Sequence, residues 1–202
     1  MQEYLLFIDT ETSGLPRKWN VPYSQNDNWP YALQIAWIIY TKEKKLVKQE
    51  NHYIWDHTVK ISPAAQNIHG ITQSFLHTNG ESKKEVLQLL LHDLKKFQPL
   101  IIGHFIKFDF HILGVEFYRT GIDNPIKQLP TFCTMLATRH LVLNPARKHM
   151  PLCNLYELLF KTPLKNGHNA LADATATADC FFELMRKGEI NEAKIEGQKN
   201  RI

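Results

Sequence analysis

The stretch Phe7-Ile8-Asp9-Thr10-Glu11-Thr12-Ser13-Gly14-Leu15 decides how the chain is read. An almost unbroken apolar run from Tyr4 to Ile8 leads into two carboxylates spaced by two. Side chains two apart in a strand share a face, so Asp9 and Glu11 project together where the strand ends. Ser13-Gly14 then turns the chain, which puts the pair at a strand-to-loop edge, where α/β sheets commonly hold ligands. Two like charges this close repel each other and attract a divalent cation. Taken alone, the same residues also read as an acidic turn capping a buried strand.

Composition sets the frame around this stretch. The 202 residues, 44% hydrophobic and 22% charged, suit one domain, expected over residues 1–187 with a short polar tail at 188–202. No window holds 18 uninterrupted apolar residues, and Gln2-Glu3 opens the chain without a basic signal region, so the expectation is a cytoplasmic protein with no membrane partner. A net charge of +4 is compatible with a polyanionic partner and identifies none. Cys133, Cys153 and Cys180 are odd in number and include no Cys-x-x-Cys pair. They support neither a disulfide framework nor a zinc knuckle, and are expected as buried free thiols.

Outward from the first strand, residues 16–30 are rich in Pro, Asn and aromatics and carry no periodicity, which predicts a long loop. Arg17, Lys18, Trp19, Tyr23 and Trp29 combine cations with ring faces suited to phosphates and bases; the same residues also suit an Ω-loop held by its own aromatics. Leu33–Tyr40 and Val47–Trp55 read as a hairpin across the polar turn 41–45. Ser62-Pro63 opens a short helix that Gly70 stops, and Thr72 starts another turn. Val86, Leu87, Leu90, Leu91 and Leu94 give a helix over 81–97 one buried face. Leu100–Gly103 is a short buried strand running into a helix that reaches about Thr120. Thr131-Phe132 is a strand end, Cys133–Leu143 a helix closed by Asn144-Pro145, and Asn154–Phe160 a further short helix. The last substantial helix spans Asn169–Lys187, with Asn169 as cap, and a frayed tail follows from Gly188. A hairpin followed by βα units predicts an α/β fold, most simply a mixed five-stranded sheet with helices on its faces and the first strand near its centre.

Further acidic residues fall at element ends on the same rim. Asp109 stands just after the Leu100–Gly103 strand, and Asp173 lies one turn inside the last helix, five residues after His168. Ala170, Ala174 and Ala178 recur every four residues, so this helix can approach the sheet closely and bring Asp173 near Asp9. Singly, His168 reads as a surface or capping histidine and Asp173 as a partner of the helix dipole. Together, Asp9, Glu11, Asp109 and Asp173 match the hard-oxygen ligand set for two divalent cations, Mg²⁺ or Mn²⁺. Two such ions about 4 Å apart assist in-line attack of water on a phosphodiester. A histidine, which ordinarily titrates near neutrality, suits the role of general base.

Phe7 to Leu15, Gly103 to Asp109 and the His-x4-Asp run from His168 to Asp173 resemble, in order, the three motifs of the DEDD superfamily of 3′–5′ exonucleases. The histidine places the chain in its DEDDh, DnaQ-like branch, which includes the proofreading epsilon subunit of bacterial DNA polymerase III and stand-alone enzymes. The Ile68-His69-Gly70-Ile71-Thr72 segment also resembles a recurrent part of this group. The resemblance spans roughly residues 4 to 186 and implies a ribonuclease-H-like sheet and a nucleic-acid substrate, single-stranded DNA or 3′ ends, with RNA as the alternative. It implies that Asp9 bridges both metals, that Glu11 and Asp173 bind the metal carrying the attacking water, and that Asp109 holds the other through solvent. His168 would act as base and nucleoside 5′-monophosphates would leave from the 3′ end. Leu15, Ile68 and His69 would shape the pocket for the terminal nucleotide, with Thr10, Thr12 and Phe108 beside them in the motifs. Phe105 stands where the second motif commonly has Asn, so stacking would replace a polar contact. The tail after Gly188 is too short for the epsilon subunit's polymerase-binding extension and carries no convincing clamp-binding peptide, which favours a stand-alone enzyme.

Overall fold

A computed structural model describes residues 2–142 and 148–199. Strands β1 (Tyr4–Thr12), β2 (Ala32–Thr41), β3 (Leu46–Trp55), β4 (Glu81–Ser82), β5 (Leu100–Gly103) and β6 (Thr131–Cys133) form one mixed sheet in the order β4-β3-β2-β1-β5-β6. β1 to β3 are antiparallel neighbours, whereas β5 runs parallel to β1 and β6 parallel to β5. The first strand is therefore central, as its apolar run predicts. The sheet has six strands rather than the expected five because Glu81-Ser82, read as the start of a helix, pairs in parallel with Ile54-Trp55. That pairing comes from tertiary contact, and two residues carry no periodicity that could announce it.

Alternation along β1 divides the core. Leu6 and Ile8 pack with Val86 and Leu90 of α3 (Lys83–Phe97) and with Ile112 and Phe117 of α4 (Ile106–Thr120). Leu5 and Phe7 point the other way, against Leu155 of α6 (Leu152–Phe160) and Phe181 and Leu184 of α7 (Ala170–Arg186). Helices thus cover both faces. The short helices α1 (Pro63–His69) and α2 (Gln73–Asn79) start where their caps predict: Ser62 accepts from the Ala65 amide and Thr72 from the Phe75 amide. Gly70 ends α1 in the left-handed region, at φ 71°, where a side chain would be strained.

Three expectations need correction. The helix expected over Cys133–Leu143 is one turn, α5 (Thr134–Ala137), followed by a 3-10 turn at Arg139–Leu141. Thr138 turns its hydroxyl back to the Thr134 carbonyl there; the expected stop at Asn144-Pro145 lies outside the described residues. The segment after Gly188 is not frayed throughout. Asn191 caps α8 (Glu192–Gln198), which buries Ile195 against the sheet's α7 side, and Gln198 accepts from the Cys133 amide at 3.1 Å. Cys133 and Cys180 are buried free thiols, but Cys153 is exposed.

The loop at 16–30 closes on itself and is fastened to α4. The Asn28 side chain bonds the Lys18 amide and carbonyl, each at 2.8 Å. The Arg119 guanidinium donates to the carbonyls of Trp29 and Pro30. Tyr23 lies directly on Gly114 of α4, where a Cβ would stand 2.6 Å from the Tyr23 hydroxyl, so only glycine admits the ring.

α7 is docked by one buried polar residue and a row of small ones. Ala170, Ala174 and Ala178 are buried on it. Gln34 of β2, fully buried, accepts from the Ala170 amide at 3.1 Å and donates to Asn51 at 2.8 Å. Asn169 caps the helix through the Ala172 amide and reaches the Tyr53 hydroxyl. Gln34→Leu strands both partners, so the expected cost is about 1–3 kcal/mol, read as a fall in Tm of about 2–12 °C. An unchanged Tm would mean that this contact does not hold the helix.

Candidate active site

β1 ends with successive side chains on opposite faces, and the helices meet them there. Asp9 and Glu11 share the face that α7 covers, and oxygens of Asp9, Glu11 and Asp173 lie within 4.8 Å of one another. Thr10, between them, faces α4 and donates to Asp109 at 2.8 Å. Asp109 sits in the first turn of α4, only 3% exposed. The strand pairing shifts register between Glu11 and Thr12, an irregularity of the kind that re-aims side chains beside sites. Four carboxylates predicted from three separate segments therefore converge at one strand end.

His168 stands at the mouth of this cluster, exposed, with its own φ at 65°. Its backbone amide donates to Asp173 Oδ2 at 3.1 Å. The other oxygen, Asp173 Oδ1, is buried with no hydrogen-bond partner among the described residues. A buried carboxylate oxygen without a donor costs free energy, and an oxygen-seeking cation would satisfy it. The donor set, carboxylates alone, fits Mg²⁺ or Mn²⁺ rather than a thiolate-preferring metal. Among the described residues, Asp9, Glu11 and Asp173 are the group able to hold such an ion.

Electrostatics agree with that reading. Burial, then the charges of Asp109, Asp173 and Glu11, hold Asp9 well above the usual carboxylate range. Burial and the charges of Asp173 and Asp109 push Glu11 to about 8. Asp109 is raised to about 7, chiefly by burial, against the lowering effect of its bond from Thr10. Burial also raises Asp173, with the His168 amide acting in the opposite sense. Like charges are thus gathered at one strand end, opposed at Asp173 by the His168 side chain.

A cleft of about 440 Å³ opens beside the cluster. Six of the seven residues expected to meet substrate line it: Thr10, Thr12, Leu15, Ile68, His69 and Phe108. Leu15 and Ile68 project into solvent at 79% and 58% exposure. His69 has a defined tautomer, because its Nδ1 accepts from the Ile71 amide at 2.9 Å and leaves Nε2–H to donate to the Thr12 carbonyl. It thereby ties α1 to the end of β1. Phe105 does not line the cleft; it precedes α4 and its ring meets Trp19 of the 16–30 loop. Larger hollows of about 680 and 830 Å³ lie elsewhere, and neither is lined by these acids. Sequence reading missed Gln34 and Ser62. Gln34 is a lone polar residue in an apolar strand and pairs in register with Glu11, a signal that could have found it. Ser62 bonds Ser13 through its backbone amide, and no sequence pattern announces that contact.

A mixed sheet flanked by helices, with clustered acids at the end of its central strand, defines a ribonuclease-H-like α/β protein. The family model described as Exonuclease, of RNase T type, matches residues 6–181, and the chain belongs to this family, as a DnaQ-like 3′–5′ exonuclease domain. No curated protein matches it by sequence. Among solved structures it is similar to E. coli exonuclease I in complex with a dT13 oligonucleotide, at TM-score 0.72 and 20% identity, covering 97% of this chain and 46% of that one. The zinc-bound form of the E. coli exonuclease I complex with single-stranded DNA gives TM-score 0.74 at 19% identity, covering 96% and 42%. A 3′-exonuclease that recognises the histone mRNA stem-loop gives TM-score 0.69 at 14% identity, covering 93% and 83%. At these identities the likeness is one of fold, and the chain spans less than half the length of exonuclease I. Among the described residues no helix is long and apolar enough to cross a membrane.

The raised carboxyls make a pH prediction. Glu11 and Asp109 titrate at about 8 and 7 in the folded chain, against ordinary values of 4.5 and 3.8. The folded state therefore keeps protons that the unfolded chain has released. The stability this contributes is full below pH about 4 and is lost as pH rises through 7 to 8. In EDTA the Tm should fall from pH 5.5 to 8.5, and Mg²⁺ or Mn²⁺ should raise it more at pH 8 than at 5.5. An equal metal-induced shift at both pH values would contradict this electrostatic account.

Proposed function

We propose that this protein is a metal-dependent 3′–5′ exonuclease that hydrolyses the phosphodiester at the 3′ end of DNA, single-stranded or frayed, and releases nucleoside 5′-monophosphates. The observation that carries the reading is the convergence of Asp9, Glu11 and Asp173, one of whose buried oxygens has no partner among the described residues, beside a cleft lined largely by apolar and hydroxyl side chains. Asp9, Glu11, Asp109 and Asp173 would hold two divalent cations, Mg²⁺ or Mn²⁺. Bound there, the cations would lower the pKa of water and offset charge on the phosphate.

The chain's own residues account for the remainder of the chemistry. His168 is exposed at the mouth and its imidazole makes no hydrogen bond among the described residues, so it is free to take a proton from an attacking water. Thr10 fixes the Asp109 carboxylate in one orientation. Leu15 and Ile68 offer apolar surface to a terminal base, and His69 fixes α1, the helix that carries Ile68, against the end of β1. The clustered acids disfavour a non-catalytic nucleic-acid adaptor, because four gathered carboxylates would repel the phosphates it must hold.

RNA is the second reading, as an RNA-trimming or oligoribonuclease-like activity. The RNA-recognising 3′-exonuclease is favoured here by length, since this chain covers 83% of it. Ribose discrimination rests on a few 2′-OH contacts, and matched oligomers separate the cases. With 5′-labelled DNA and RNA and Mg²⁺ or Mn²⁺, the expected result is a ladder shortening from the 3′ end and lost in EDTA. Asp9→Ala should lower the rate at least about 100-fold while leaving the protein folded, since it removes one of several repelling acids. His168→Ala should cost about 100- to 10,000-fold. An active Asp9→Ala protein would move the site elsewhere, and intact oligomers in every lane would favour the adaptor.

A further inference from the structure

The aromatic residues of the 16–30 loop are not all spent on folding it. Trp29 is 2% exposed, with its ring stacked on His111 at 24°, and Tyr23 is seated on Gly114, so both serve the fold. Trp19 differs. It is only partly buried, and its four ring neighbours, Trp29, Phe105, Phe108 and His111, all meet it edge-on or tilted, at 58° to 80°. No ring lies parallel to it among the described residues. Phe108, one of these neighbours, also lines the cleft beside the acids, so Trp19 stands one ring away from that cleft, at 6.3 Å between ring centroids.

Phe105 is the second unusual residue. Its backbone is left-handed, at φ 75° and ψ 44°, a conformation suited to Gly or Asn and costly for other side chains. Its ring is 37% exposed and its one aromatic contact among the described residues is Trp19, at 5.8 Å. Neither burial nor backbone preference accounts for a phenylalanine here. Cations stand nearby: Lys127 lies 5.5 Å from the Tyr23 ring, and burial, then Lys107 and Lys127, hold His111 below its usual pKa. Neither lysine is in an ion pair among the described residues.

We infer that Trp19 and Phe105 form a second base-stacking site, which takes a nucleotide upstream of the one being removed, with Lys107 and Lys127 facing its backbone phosphates. The inference rests on the exonuclease reading and narrows its substrate to single-stranded polynucleotide longer than one nucleotide. Stacking reads the π-face that every base shares, and phosphate contacts are independent of sequence. The site therefore confers preference for length and single-strandedness rather than for sequence, and serves DNA and RNA alike.

The test compares the decamer dT10 with the p-nitrophenyl ester of thymidine 5′-monophosphate, which has no upstream nucleotide. The ratio of kcat/KM on dT10 to that on the ester should fall between about 5- and 150-fold in Trp19→Ala, with the loss mainly in KM. Trp19→Phe should retain most of the ratio. Phe105→Asn, which suits the left-handed backbone, should lower the ratio while keeping Tm within a few degrees of wild type. An unchanged ratio in both Trp19→Ala and Phe105→Asn would overturn the inference and leave the cluster a folding device. Binding of 5′-fluorescein-labelled dT10 in EDTA, read by anisotropy, tests the stacking site separately from catalysis. A wild-type protein that cleaves neither substrate refutes the exonuclease reading, whereas equal affinity of wild type and Trp19→Ala for dT10 refutes the stacking site.

Discussion

The structure is organised around mutual repulsion. Four carboxylates meet at the end of one strand, partly removed from water, and burial raises each of them above the usual carboxylate range. Such an arrangement is unfavourable by itself, so everything that holds it must be firm. The sheet provides this through position: β1 is paired on both edges, by β2 and β5, and cannot slide without turning Asp9 and Glu11 to the wrong face. The alternation that buries Phe7 on one side and Ile8 on the other also sends Asp9 toward α7 and Thr10 toward α4.

The two helices then complete the cluster by different means. α4 follows β5 directly, so Asp109 is delivered by chain connectivity and oriented by Thr10. α7 comes from far along the sequence and depends on contact. Small alanines let it close on the sheet, and Gln34, the register partner of Glu11, takes its first amide. The same strand pair that aligns Glu11 therefore sets the helix that carries Asp173. A carboxylate cluster assembled this way is positioned by strand register, chain connectivity and helix docking.

Much of this was legible in the sequence because it rests on short-range rules. Period-two spacing disclosed Asp9 and Glu11, and four-residue spacing disclosed the alanine face of α7. Ser62, Thr72, Asn169 and Gly70 marked helix ends through capping chemistry that acts within a few residues. What escaped depends on distant partners. Glu81-Ser82 is a strand only because β3 lies beside it, and α8 is ordered by Ile195 and by Gln198 bonding to Cys133. The 16–30 loop was legible as a loop with useful aromatics. Which rings fold it and which face the cleft depends on Arg119, Gly114 and His111 of α4, some 90 residues later.

The central claim is that these carboxylates form a metal site beside a nucleotide cleft. Diffraction from crystals soaked with Mn²⁺ and a nucleoside 5′-monophosphate, measured with anomalous scattering, addresses it most directly. The account predicts two anomalous peaks, one among Asp9, Glu11 and Asp173 and one between Asp9 and Asp109, with the nucleotide phosphate beside them. Manganese bound only at surface acids away from β1, or a nucleotide seated in another hollow, would contradict it.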